Sequence, residues 1–313
     1  ITVSFLFLIF FKYSNFLIEN VNRISGILGQ TGQLKPFDIL LPVGISFYIF
    51  QALSYTMDVY RGEVKATKNL FRYALFVSFF PQIIQGPIGF YDQLAKQLYE
   101  PHGFDFVRFK HACELILWGT FKKLIIADRA VILINTVLED YAAYNGTTLL
   151  FTVLVYALQL YADFSGGIDI SRGVAQIFGI EMGENFSRPY FARNISEYWR
   201  RWHISLGAWM RNYVFYPIAM SKLFLDASKK MKKSSFGKTK AGAHIAKVLP
   251  TSFASLVVFF LVGVWHGANW TFVLWGVYHT LLFVPLFLLG KNRRYLEEDT
   301  RLTDLPKILL TFI

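Results

Sequence analysis

Apolar residues in this chain run in long unbroken blocks, and polar residues gather between them. Residues 1–11, 37–57, 252–264 and 270–289 are such blocks. Blocks near twenty residues match the length a helix needs to cross about 30 Å of hydrocarbon. Backbone groups in lipid must be paired internally, which leaves helices or closed barrels. A barrel would show short alternating strands, and these blocks are continuous. The pattern predicts helices at 1–18, 37–57, 109–138, 148–178, about 249–264 and 270–289. Between 71 and 94, the order Phe80-Pro81-Gln82-Ile83-Ile84-Gln85-Gly86-Pro87 sets two prolines and a glycine in an apolar stretch. Proline removes a backbone donor and clashes with the preceding turn, so a broken or re-entrant segment is expected there. The expected fold is all-α, a polytopic multi-helix membrane bundle. With no Gly/Ser- or Pro-rich linker and no internal repeat, residues 1–313 read as a single membrane-embedded domain.

Composition agrees: 54% of the residues are hydrophobic and 17% charged, against about a quarter charged in soluble domains. A net charge of +11 would suit nucleic acid, but the charges sit in short blocks between apolar segments. That distribution argues for membrane loops and against a nucleic-acid partner. The single cysteine, Cys113, excludes a disulfide framework and a cysteine-based zinc site, and reads as a small buried apolar residue. The first residue is isoleucine, and 308–313 resemble an apolar helix cut short, so truncation at both ends is expected.

Orientation follows from lysine. Residues 222–247 carry eight lysines and one acid, Asp226, and read as a solvated cytoplasmic loop under the positive-inside rule. The next helix then runs outward, turns at Trp265-His266-Gly267-Ala268-Asn269, and returns to the basic run Lys291-Asn292-Arg293-Arg294. His266 lies at the far or deep end of this hairpin.

Of six histidines, His102 and His244 sit in polar loops and read as solvated; His111 and His279 read as packing residues. His266 is flanked by Trp265, Gly267, Asn269 and Trp270. A neutral imidazole there suits general-base chemistry on a hydroxyl, and equally suits a histidine in an interfacial aromatic belt. His203 falls in a segment where Asn194 and Glu197 resemble a capping box. Trp199, Trp202, Leu206, Trp209 and Tyr213 recur at helical spacing after it, which predicts one amphipathic helix at the interface. At the stripe's edge, His203 faces either headgroups or a channel. Asp163, inside an apolar helix, requires a donor such as Arg172, a tryptophan N–H or a tyrosine hydroxyl. No Gly-x-Ser-x-Gly, His-Glu-x-x-His or Walker motif is present.

Several segments together resemble the membrane-bound O-acyltransferase family, in its alginate O-acetyltransferase-like branch. They are Leu41 to Gln51 with Asp58-Val59-Tyr60-Arg61-Gly62; Phe80-Pro81-Gln82 with Gln85-Gly86-Pro87-Ile88; and Tyr161 to Gly167. Asn185-Phe186 with Pro189-Tyr190, Tyr198 to Leu206 with Arg211-Asn212-Tyr213, and Trp265 to Trp275 complete the set, in the family's order. The resemblance implies a funnel through a thinned membrane region of a bacterial cytoplasmic membrane. An acyl group, acetyl the expected one, would pass from a cytoplasmic donor to a cell-envelope polysaccharide or polyol. The family's essential histidine falls on His266 and its second on His203. No tightly bound cofactor is implied. Acetyl-CoA or an acyl carrier protein would serve as donor, and an extracytoplasmic acyltransferase is a possible partner alongside the lipid bilayer. Two departures stand out: the usual flanking helices are missing, and Gly167-Ile168 replaces a commoner Tyr-Ser pair. D-alanyl transfer to teichoic acid is the alternative within the fold, and a transporter or flippase the alternative outside it.

Overall fold

The computed structural model describes residues 1–30, 32–288 and 300–312. Its elements are helices, and the described residues contain no strand beyond one antiparallel bridge between Phe186 and Trp202. In chain order they are α1 (Thr2–Ile27), α2 (Ile45–Arg61), α3 (Leu70–Val77), α4 (Phe80–Gln85), α5 (Tyr91–Tyr99), α6 (Phe106–Thr120), α7 (Asp128–Glu139) and α8 (Gly146–Ile177). Then follow α9 (Ile195–Arg201), α10 (Ile204–Met210), α11 (Tyr216–Ala219), α12 (Lys222–Lys233), α13 (Lys240–His266), α14 (Trp270–Leu288) and α15 (Leu305–Phe312). Three of these, α1, α8 and α13, are long and apolar enough to cross a membrane. The all-α membrane architecture expected from the apolar blocks is therefore present. The basic run Lys291–Arg294 and Ile313 lie outside the described residues.

The chain forms two compact units, residues 50–185 and residues 1–49 with 186–313. In the unit of 50–185, the segment from 70 to 99 is broken as its prolines dictate. α3 stops at Val77, Pro81 occupies the first turn of α4, and Gly86 ends α4 in an extended conformation. A β-carbon at Gly86 would lie 2.6 Å from the Pro81 carbonyl oxygen, so the tight turn needs glycine. Gln82, buried, hydrogen-bonds Gln51 and donates to the Pro87 carbonyl at 3.2 Å; Ser171 donates to the Pro81 carbonyl. Side chains thus satisfy the backbone that the break exposes. Gly167, one of the two departures, faces the Gln85 amide so closely that a β-carbon would overlap it.

α6 and α8 pack through small residues. A β-carbon at Gly119 would sit 2.6 Å from the Gly166 carbonyl oxygen, and one at Gly173 2.8 Å from that of Ala112. Cys113 is exposed, against expectation. The face of α6 that meets α8 carries Ala112 and Gly119, and one residue along a helix turns the side chain away from it. After Thr120 the helix widens into a π-helical stretch, Phe121–Ala127, before α7. There buried Lys122 reaches Asp169 at 2.6 Å and Ser165 at 3.0 Å. Lys123 reaches Asp163 at 2.5 Å, so Asp163 finds a lysine rather than the donors expected from its own helix and its aromatic neighbours.

In the unit of 1–49 and 186–313, α1 runs nine residues past the expected end at residue 18. Its asparagines stopped the apolar pattern, yet they serve the helix. Asn15 exchanges two hydrogen bonds with the backbone of Phe37, and Asn22, two turns on, does the same with Leu34. The extended segment before α2 is thereby zipped along α1. Pro42 and Gly44, at φ +74, delay α2 to Ile45. The lysine-rich stretch is helical rather than a solvated loop. In α12 Phe224 stacks on Phe253 of α13 at 4.7 Å and Ser228 donates to the Ala246 carbonyl at 2.5 Å, while Lys229, Lys230, Lys232 and Lys233 face outward.

Candidate active site

His266 is the last residue of α13, and the chain turns at Gly267–Asn269 into α14. The turn is built locally: the Asn269 side chain accepts from the Thr271 N–H at 3.0 Å, starting α14. Behind the turn the two helices approach closely, because a β-carbon on Gly263 would lie 3.1 Å from the Gly276 Cα. This contact aims the His266 ring at α14. It meets Trp275 edge-on at 5.2 Å, Phe272 nearly parallel at 6.3 Å and Trp265 at 5.1 Å between centroids. His266 itself remains exposed. The imidazole is thus exposed while three aromatic rings lie beside it, an arrangement a polar group at membrane depth can adopt.

His203 reaches the same place from another direction. The single amphipathic helix expected over 194–213 is broken here: α9 ends at Arg201, His203 adopts a left-handed conformation at φ +46, and α10 starts at Ile204. The periodicity of the tryptophans hid the break, since α10 resumes with nearly the same face inward. The stripe is also buried rather than interfacial, with Trp202, Leu206, Trp209 and Tyr213 all in the core. A non-glycine residue at positive φ costs of order 1–3 kcal/mol and persists where its surroundings over-determine it. Here they do: the Phe186–Trp202 bridge and the Ser187 N–H to Arg201 carbonyl bond at 2.9 Å fix the chain on one side. The buried His203 ring lies 6.1 Å from Trp265. Burial, with the charge of His266 as a lesser cause, pushes the His203 imidazole down to about 3, so it is neutral.

Trp265 therefore touches both predicted histidines, and the structure brings His203 and His266 together around it. A third histidine joins them. His279, expected to be a packing residue, lies 4.4 Å from Trp275 and 5.0 Å from Trp199. Its Nδ1 and the Trp199 Nε1 are buried without a hydrogen-bond partner among the described residues. The signal that could have marked His279 is its four-residue spacing from Trp275, one helical turn. The other histidines stand apart: His102 is exposed with its ring at 2.6 Å from the Gln97 carbonyl oxygen, and His244 is half-buried in the first turns of α13. His111 is exposed beside Glu114 at 3.1 Å rather than packed. Among the described residues no group of histidine, cysteine and carboxylate side chains is arranged to hold a metal ion.

Beneath His203 sits a polar network that sequence reasoning missed. The Asn194 side chain caps α9 at the Glu197 N–H, 2.8 Å, as expected. The Glu197 carboxylate accepts from the Arg193 N–H at 2.8 Å, from the Arg193 guanidinium at 3.0 and 3.1 Å, and from Arg201 at 2.6 Å. The Arg193 guanidinium also reaches Asp304 at 3.4 Å. Burial pushes the Glu197 carboxyl up, but hydrogen bonds from Arg193 and Arg201 outweigh it and hold the group below its ordinary value.

Comparison with known proteins bears on the family. Residues 63–232 match the family model described as MBOAT, membrane-bound O-acyltransferase family, a span that includes His203 and ends before His266. Relatives extend the likeness. The "Probable alginate O-acetylase AlgI" of Azotobacter vinelandii is 36% identical over 86% of this chain and 49% of its own length. The "Peptidoglycan O-acetyltransferase" of Helicobacter pylori is 30% identical over 97% of this chain and 56% of its own. The "Teichoic acid D-alanyltransferase" of Bacillus subtilis is 28% identical over 88% of this chain and 67% of its own. The chain spans about half the length of the alginate and peptidoglycan relatives. A family model covering more than half of the residues, on an all-helical chain with three membrane-length helices, makes the chain a member of the membrane-bound O-acyltransferase family.

Proposed function

We propose that the protein transfers an acyl group, acetyl in the first instance, from a cytoplasmic thioester to hydroxyls of a bacterial cell-envelope polysaccharide, with His266 as general base. The observation that carries this reading is the exposed His266 imidazole at the end of a membrane-length helix, walled by Trp265, Phe272 and Trp275. His266 would take the proton of the acceptor hydroxyl as its oxygen bonds to the acyl carbon. The thioester C–S bond then breaks, and the proton returns to the departing thiolate. Neutral His203, held behind Trp265, would fix the far wall of the site. The donor is acetyl-CoA or an acyl carrier protein; under the positive-inside rule the exposed lysines of α12 support a cytoplasmic position for that face, in a bacterial inner membrane. An extracytoplasmic acyltransferase partner would complete delivery to the polymer. The D-alanyl relative favours a second reading, in which a carrier protein supplies D-alanine. The test is His266→Ala in the full-length protein, followed by mass analysis of the envelope polysaccharide. Loss of O-acyl groups at normal protein level is expected; undiminished acylation would overturn the reading, and D-alanyl in place of acetyl esters would select the second.

A further inference from the structure

An α-helix leaves its last four carbonyls without intrahelical donors, and in an apolar setting each needs another partner. α13 ends at His266, so the carbonyls of Val264 and Trp265 are among them. Two consecutive residues of α1 supply donors. The Tyr13 hydroxyl donates to the Val264 carbonyl at 2.7 Å, and the Lys12 ammonium donates to that of Trp265. The same ammonium is 3.4 Å from the Ser46 hydroxyl oxygen and stands over the Trp265 ring at 5.4 Å. One and two turns further along α1, Phe16 packs on Trp270 at 5.9 Å and Asn20 accepts from the Trp270 indole at 2.8 Å. One face of α1 therefore runs along the tip of the hairpin that carries His266.

Lys12 stands out on that face. It is an ionisable residue in the apolar first half of a membrane-length helix, where a charge is costly and marks function by default. No carboxylate among the described residues pairs with it. Its partners are instead the negative end of the α13 dipole and the π face of Trp265, two groups that favour a cation over a neutral donor. Trp265 in turn touches both His203 and His266.

We infer that Lys12 is a positioning residue of the acyl-transfer site: its ammonium clamps the Trp265 peptide and ring, and so fixes the imidazoles of His266 and His203. The inference rests on the general-base reading of His266, and the two can fail separately. Full-length protein carrying Lys12→Gln, Lys12→Arg, Tyr13→Phe or His266→Ala is compared for O-acyl content of the envelope polymer at matched protein level, with thermal unfolding as the fold control. Lys12→Gln keeps a donor but loses the charge, and acylation should fall below a tenth of wild type. Lys12→Arg restores the cation and should retain at least half. Tyr13→Phe, which removes a docking bond without removing charge, should also retain at least half. Wild-type acylation in Lys12→Gln overturns the inference, as does an equal loss in Lys12→Arg or Tyr13→Phe with the fold intact. Wild-type acylation in His266→Ala overturns the base reading instead.

Discussion

Replacing Glu197 with glutamine preserves its shape and removes its charge, which isolates what the buried ion pair contributes. The Arg193 and Glu197 side chains are 1% and 2% exposed, so neither charge has water to fall back on. Breaking a buried pair by removing one partner typically costs 3–5 kcal/mol, because the other charge is left uncompensated. Arg193 keeps Asp304 at 3.4 Å, a longer contact than its 3.0 Å pair with Glu197, so compensation is partial. The expected loss is about 3 kcal/mol, the lower end of that range. The loss should also reach the site. Glu197 and Arg201 belong to the helix that delivers His203, and Arg201 is held by Glu197 at 2.6 Å.

Two measurements check this on full-length protein in nanodiscs. Thermal unfolding should show Glu197→Gln several degrees below wild type, with acyl transfer reduced. The pH dependence gives the sign. The folded carboxyl lies below its ordinary value of 4.5, so its stabilisation is complete above that value and lost as pH falls through the depressed folded value. Wild type should therefore lose stability on acidification more steeply than Glu197→Gln. The double variant Arg193→Met with Glu197→Met removes both charges and should recover most of the deficit of Arg193→Met alone. Parallel acid profiles for wild type and Glu197→Gln, or a double variant no better than the single, would refute the argument.

At His203 the backbone and the ring can be separated: His203→Gly and His203→Ala both lose the imidazole, but only glycine relaxes the left-handed φ, so the glycine variant should be about 1 kcal/mol more stable. Equal unfolding temperatures would show that the conformation carries no strain. Gly263→Val would force α13 from α14 at the Gly276 contact and should lower acyl transfer at least tenfold, read on polymer O-acyl content. Lys122→Met, which leaves Asp169 of a largely buried pair only the longer contact to Arg172 at 3.6 Å, should cost about 3 kcal/mol in unfolding, whereas Lys123→Met, at a partly exposed pair, should cost within about 1 kcal/mol.

The long helices were legible because hydrocarbon imposes one requirement on every residue it touches: α8 and α14 follow the apolar runs closely, while α13 begins at Lys240, ahead of its run and inside the lysine-rich stretch. The broken helix at Pro81 was legible for a similar reason: proline acts locally whatever surrounds it. Errors fell where a residue's role is set across the chain. The asparagines of α1 read as the end of a helix because their partners, Leu34 and Phe37, are distant loop backbone. Cys113 read as buried on residue type, but which face of α6 meets α8 is decided by Gly119 and Gly173. For Asp163 the sequence offers Arg172, a tryptophan N–H or a tyrosine hydroxyl, and the structure supplies Lys123, 40 residues away.

His266 itself shows why the site was half legible. Its motif placed it at a turn between apolar helices, and the turn is where the structure has it. Sequence could not show that a site at the end of a helix inherits that helix's unsatisfied carbonyls, nor which donors meet them. Those donors come from Lys12 and Tyr13, more than 250 residues earlier, on a segment with no motif of its own. Likewise His203 gains its place from a backbone kink that interrupts a periodic stripe without altering its period. The segments that carry the family resemblance leave out Lys12 and Tyr13, so the groups that meet the tip of the hairpin come from a helix that pattern alone reads as an anchor. The histidine base proposed here would have to be held by groups that do not themselves react, and on that reading Lys12 of α1 and the Arg193–Glu197 pair beside α9 would hold it.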